Sequence, residues 1–283
     1  MKTTRFYLLP ILLLGLFLSG CDTTANDEDG EAMLNLNVQA VVNGTPFISG
    51  QTYDINGTTT TFTGARMYIS EITLLHEDGT TYSFEGDAIT VPAKDADDND
   101  ITHTVTDKVV LFKHDADMDT HTIGMAPEGR YTGMVFKVGI GGTNNRVDAS
   151  QVPATHPMAK QTDLNNHWNW SAGYIYLRMD GQVDTDADGN TDESWEVHLG
   201  RENFLTEVQL DREFELVADE HKELHVMVNY ATFLADVDLT NPLERNTHVG
   251  DNLPMAQKVG GMIDDAFMFH GVHDADGGHQ HGN

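Results

Sequence analysis

Apolar and polar residues alternate along most of this chain with a period of two. "MLNLNVQAVV" (33–42), "TTTFTGARMYISEITLL" (59–75), "YTGMVFKVGI" (131–140) and "GYIYLRMDG" (173–181) carry the pattern most clearly, and it is that of half-buried strands. Shorter runs repeat it: "TYSFEG", "KVVLFKH", "SWEVHLG", "TEVQL", "FELV" and "ELHVMVNYATFL". They are rich in β-branched and aromatic residues and bounded by turn formers, such as "EDG" at 77–79 and "ADGN" at 187–190. A helical apolar period arises in "PMAQKVGGMIDDAFMF" (254–269), which predicts one short C-terminal helix. The expected fold is all-β, an antiparallel β-sandwich with long loops.

The first twenty residues stand apart from that pattern. Lys2 and Arg5 precede the apolar run "FYLLPILLLGLFL", and "LSGC" ends at Cys21, the single cysteine. A run of 13 residues is short of the ~20 that a spanning helix needs. It reads as a lipoprotein signal peptide (1–20), with lipid on Cys21 as the membrane attachment. The expected location is therefore a bacterial membrane surface, periplasmic or cell-surface, with the outer membrane favoured. An acidic tether (21–32) then leads to the β domain (33–253) and to a C-terminal segment (254–283) with a His-rich tail. With no second cysteine, neither a disulfide nor a thiolate site holds the fold.

Charge narrows the partners. The chain stands at −29 and its first twenty residues carry two positive and no negative side chains, so the remainder stands at −31. That surface repels nucleic acid and attracts cations, and solubility accounts for much of it.

Candidate chemistry gathers in "LNNHWNWSAGYIYLRMDG" (164–181), where His167 lies beside Trp168 and Trp170. The local pattern alone reads the tryptophans as core or lid and His167 as a surface residue. The third tryptophan, Trp195, stands in "SWEVHLG", where alternation puts Trp195, Val197 and Leu199 on one face and Glu196 and His198 on the other. Two histidines on distant strands, each near a tryptophan, suggest a site built across the sheet; imidazole is a common copper or zinc ligand. His156 and Met158 in "THPMAK" are weaker candidates, read first as ordinary loop residues.

The blocks "FTGARMYISEITLLHEDGTTYSF", "GRYTGMVFKVGIGG", "LNNHWNWSAGYIYLRMDG" and "WEVHLG" resemble the MbnP family of periplasmic or surface copper-binding proteins. That resemblance implies a copper site in which histidines share the metal with a tryptophan oxidised to kynurenine. The oxidation is attributed to a partner of the MauG-like dihaem type. Carried onto this chain, His167 and His198 are the copper ligands, and Trp168 or Trp170 is the residue oxidised. The protein would then bind copper for acquisition or handling and would not be an enzyme. The four-cysteine pattern of some members is absent here, which sets this chain apart from that branch.

A second cluster, "DTDADGNTDE" (184–193), has the spacing of a calcium loop: Asp184, Asp186, Asp188, Asn190 and Asp192, with Glu193 nearby and Gly189 at the turn. The twelfth position is Trp195, which supplies no carboxylate, so the loop also reads as an acidic hairpin tip. On this reading the protein is instead a calcium-stabilised surface adhesion or glycan-binding module, with Trp168, Trp170 and Tyr174 as a stacking platform. No nucleophile elbow, H-E-x-x-H or phosphate-cradling motif stands in the sequence.

Overall fold

The computed structural model describes residues 30–114, 118–160, 166–169, 172–247 and 253–275. Its strands in chain order are β1 (Glu31–Val42), β2 (Thr45–Pro46), β3 (Thr52–Ile55), β4 (Thr58–His76), β5 (Thr81–Ser83), β6 (Glu85–Lys94), β7 (Asp100–Asp107) and β8 (Val110–His114). There follow β9 (Met118–Pro127), β10 (Gly129–Val138), β11 (His167–Asn169), β12 (Gly173–Val183), β13 (Glu193–Gly200), β14 (Thr206–Leu216), β15 (His221–Asn229) and β16 (Phe267–Asp274). Helices α1 (Tyr230–Phe233) and α2 (Leu253–Gly260) complete the regular elements with several 3₁₀ turns.

Alternation becomes two layers. The smaller sheet runs β16-β15-β1-β2, with β9 also on β1. The larger runs β11-β12-β4-β10-β14, with β13 on β12 and with β3, β5 and β8 on the long β4. Their inner faces make one core. Leu34, Leu36, Val38 and Ala40 of β1 and Leu224, Val226 and Val228 of β15 meet Met67, Ile69, Met134, Phe136, Leu177 and Met179 from the other sheet. This is the all-β sandwich the pattern predicts. One pair departs from the antiparallel expectation: β1 and β15 run parallel, from Met33 opposite His221 to Val41 opposite Asn229. A pairing so distant in sequence leaves no local signal of its direction.

The C-terminal segment differs from its sequence reading as well. Helix α2 covers Leu253–Gly260, but Phe267–Asp274 is strand β16 and lies against β15. The last five residues of β16, His270 to Asp274, fall in what reads from the sequence as the His-rich tail. Among the described residues no helix is long and apolar enough to cross a membrane.

A buried histidine marks the centre of the core. His114 is fully enclosed, with Nε2 at 3.0 Å from the Val38 carbonyl and Nδ1 at 2.6 Å from the Tyr230 hydroxyl. A carbonyl only accepts, so Nε2 donates and Nδ1 receives the tyrosine's proton. Both ring nitrogens are thus satisfied, and His114 is structural.

A second apolar cluster covers part of the outer face of the larger sheet. Tyr68, Tyr174 and Tyr176 pack there against Val91, Ala93 and Val105 of the β6–β7 hairpin and against Val147, Val152 and Met158 of the loop that follows β10. The candidate site stands on this covered outer face.

Candidate functional site

Strand β12 organises the site. Leu177 and Met179 point into the main core, so Tyr174, Tyr176, Arg178 and Asp180 share the outer face. His167 of β11 pairs with Tyr174, and His198 of β13 pairs with Arg178. Those two positions are four residues apart, roughly 13 Å along a strand. Both histidines are buried, His167 being 8% exposed and His198 6%. The expectation of a surface position for His167 is therefore corrected: the loop after β10 and the tyrosine cluster enclose it.

The His167 ring meets the edge of Tyr174 at 4.8 Å. Tyr174 in turn donates from its hydroxyl to the Met158 carbonyl at 2.6 Å, and the Met158 amide donates to His156 Nδ1 at 3.2 Å. Met158 and His156 thus support the wall behind His167 through Tyr174, with Met158 wholly buried. His167 Nε2 is enclosed and has no hydrogen-bond partner among the described residues. Burial, then the Lys160 charge, holds the His167 pKa below its ordinary value, so the ring is neutral at pH 7 and keeps a lone pair for a metal.

A neutral buried imidazole has a pH signature. The unfolded chain takes the proton first, near pH 6.5. Stability from His167 is complete above that value and is lost as the pH falls through the lower folded pKa. His167→Gln is expected to reduce the loss of Tm as the pH is lowered from about 6.5, measured against the parent in the same buffers. Equal slopes for the two proteins would refute this assignment.

His198 is held differently. Its Nε2 lies 2.7 Å from Asp180 Oδ1, and Arg178 Nε donates to Asp180 Oδ2 at 2.6 Å. Burial pushes the Asp180 pKa up, but the hydrogen bonds from His198 and Arg178 outweigh it and the net shift is downward. With Nε2 donating to the carboxylate, Nδ1 is the nitrogen through which this ring would hold a metal. This is the carboxylate–histidine arrangement that orients metal-binding imidazoles.

Trp168 links the two strands. It follows His167 in β11, and its indole lies over Gly200 of β13, two residues beyond His198. A Cβ at Gly200 would come within 2.6 Å of Trp168 Cζ3, so the glycine makes the seat. Gly173 has a separate reason to be glycine: its φ is +75°, and the Asn145 carboxamide occupies the place of a side chain. An open cleft lined by Asn145, Asn169, Ala172, Arg201 and Glu202 borders β11. Trp170, Cys21, His279 and His281 lie outside the described residues.

The remaining candidates separate. Trp195 points inward and belongs to the main core, as alternation predicts. Tyr174 is fully buried, which removes it from any exposed stacking platform. Asp184, Asp186 and Asp188 come together, with carboxylate oxygens within 4.8 Å of one another. Asp184 already accepts from the amides of Gly189 and Ala187, and the Gly189 bond leads in lowering its pKa. The Asn190 amide donates to Asp188, Asp192 is exposed, and Glu193 is paired with Arg245 at 2.6 Å. The loop is thus closed by the chain's own donors. One grouping that sequence reasoning missed, His225 with His270 and His273, stands on the smaller sheet; the first of these belongs to a run read simply as strand.

Fold and site together define a class, β-sandwich proteins that build a polar site on a sheet's outer face beneath a covering loop. The chain belongs to the MbnP family, whose model matches residues 31–249. It is also similar to MbnP from Methylosinus trichosporium, with a TM-score of 0.50 at 14% identity over 87% of this chain and 99% of that one. That likeness shows the shared fold. No curated relative matches the chain.

Proposed function

We propose that this chain is a lipid-anchored, extracytoplasmic copper-binding protein, and not an enzyme. His167 and His198 are the imidazole ligands, and Trp168 is the indole that a dihaem partner oxidises to kynurenine. The observation that carries this reading is the enclosed Nε2 of a neutral His167, without a hydrogen-bond partner among the described residues, beside an indole that reaches toward the strand of His198. Imidazoles and an aromatic amine are nitrogen donors of the kind copper takes. Asp180 fixes the second imidazole, and the acidic surface gathers cations. With dioxygen or two equivalents of peroxide as oxidant, the indole C2–C3 bond is cleaved and water then releases C2 as formate, so that one carbon is lost, one oxygen is gained in net and the aryl amine is unmasked. Copper, when bound, would be shared by that amine and the two imidazoles. Acquisition or handling of copper outside the cytoplasm is the role this chemistry serves.

Peptide mapping of protein made in its own host tests the modification. The peptide bearing Trp168 is expected to show the mass of one carbon lost and one oxygen gained, while Trp195 stays intact in the core. Finding Trp168 unmodified in metal-loaded native protein would overturn the kynurenine assignment.

A further inference from the structure

Strands β15 and β16 assemble three imidazoles on the solvent-facing side of the smaller sheet. The inner residues of β15 are Leu224, Val226 and Val228, so His225 faces outward with Glu223 and Met227. Its neighbour on β1 is Asn37, a buried polar residue on the same outer face. His225 is half-buried, whereas His270 and His273 on β16 are exposed.

Plain alternation would send His270 and His273 to opposite faces, since they stand an odd number of positions, three, apart. A bulge prevents this. His225 pairs with Gly271 and Val226 with Phe269, so His270 is the extra residue, set between two ladder positions. A bulge of this kind re-aims a side chain. Gly271, at φ +149°, supplies the backbone that few other residues adopt, and the His273 ring lies 3.6 Å from where its Cβ would be. The His225 ring is then 5.2 Å from that of His270 and 5.7 Å from that of His273. One nitrogen from each ring lies within 4.8 Å of the others.

From this geometry we infer a second metal site, a three-imidazole centre for a divalent late transition ion, Cu²⁺ bound most tightly and Zn²⁺ more weakly. Metal–nitrogen bonds of about 2.0–2.1 Å in a tetrahedral site put ligand nitrogens roughly 3.4 Å apart. The nitrogens, within 4.8 Å of one another, must close in to reach that spacing, and the two exposed rings can turn onto an ion that His225 anchors. Imidazole selects this group of metals, and among divalent ions copper heads the affinity order. Three protein ligands leave a coordination position for water or for a donor from another molecule. The nearby guanidinium of Arg212 is engaged by the Phe269 carbonyl at 3.4 Å, and the strongly acidic chain favours a cation. The site is separate from the His167–His198 region. Two of its residues lie beyond the segment that defines the family, so it stands or falls independently of the reading above.

The test is titration of the full chain with Cu²⁺ alone and with Zn²⁺ alone, followed by calorimetry and, for copper, by electron paramagnetic resonance. The parent is expected to show an equivalent of Cu²⁺ with nitrogen hyperfine structure. His225→Gln, His270→Ala and His273→Ala are each expected to weaken that equivalent at least tenfold, about the lower bound for losing even an outer-shell partner. The Zn²⁺ affinity is expected to be lower and to fall in the same variants. The equivalent that His225→Gln weakens is expected to persist in a His279→Ala/His281→Ala chain, and also in a His167→Ala/His198→Ala chain, which loses only copper held at the His167–His198 region. His270 and His273 are exposed, so their variants keep the parent's melting curve. Unchanged affinity in the single variants, or loss of the equivalent in either double variant, would overturn the proposal.

Discussion

Replacing Trp195 by alanine is expected to cost about 3–5 kcal/mol, a fall in Tm of roughly 6–20 °C for a chain of this size. Trp195 is 1% exposed and meets Phe62 edge-on at 5.1 Å. Gly181 on the neighbouring strand leaves room for it: a Cβ there would stand 2.6 Å from the indole and 2.0 Å from the Thr61 carbonyl. With backbone on one side and Phe62 on another, the walls have little freedom to collapse, so the void stays open and its cost is high. Trp195→Phe is expected to cost less than half as much. It keeps the edge contact, and the indole N–H it removes has no partner among the described residues. Thermal melts of the two variants check this. A shift below about 2 °C for the alanine variant would show that Trp195 is not a packed core residue.

The second large effect is expected at the proposed copper site. His167→Ala and His198→Ala should each weaken copper binding by more than about a hundredfold, because removing a ligand exceeds the 10–100-fold cost of losing an outer-shell partner. Asp180→Asn should fall within that 10–100-fold range, since it disturbs the orientation of His198 while leaving the ring in place. Competition titrations with a copper chelator, on protein whose Trp168 state has been checked by mass, give all three affinities. If both histidine variants bind copper as the parent does, the ligand assignment fails. If Asp180→Asn alone behaves as the parent, the carboxylate holds the fold and not the metal site.

Much of the sandwich is legible in the sequence because its main strands bury one face. β1, β4, β10, β12 and β13 announce themselves through residues such as Leu34, Leu36 and Val38, or Val197 and Leu199, that share one core. The same rule correctly separates Trp195 from His198. Where that contrast fades, the reading fails. β14 reads as two pieces because Asp211, Arg212 and Glu213 are all exposed in its middle, yet its ladder continues along β10. The β6–β7 hairpin has few buried positions and a proline, Pro92. Tyr230–Phe233 reads as the end of a strand, whereas the Asn229 side chain accepts from the Ala231 amide and starts a helical turn. At the site, residue types are visible but their enclosure is not: the wall behind His167 comes from Tyr174 and Met158, and the seat of Trp168 is the absence of a side chain at Gly200. The trihistidine grouping needed a bulge that no spacing rule foretells.

The parallel union of β1 and β15 has a kinetic consequence. Strand β1 meets one of its two long neighbours only after nearly two hundred further residues have been made. Closing so large a loop is entropically unfavourable, and contacts of this separation slow the search for the native state. Until β15 arrives, an edge of β1 rich in Leu and Val stands open to other chains. Nascent molecules would therefore be prone to aggregate until β15 emerges, and whatever keeps them apart must act across that whole interval.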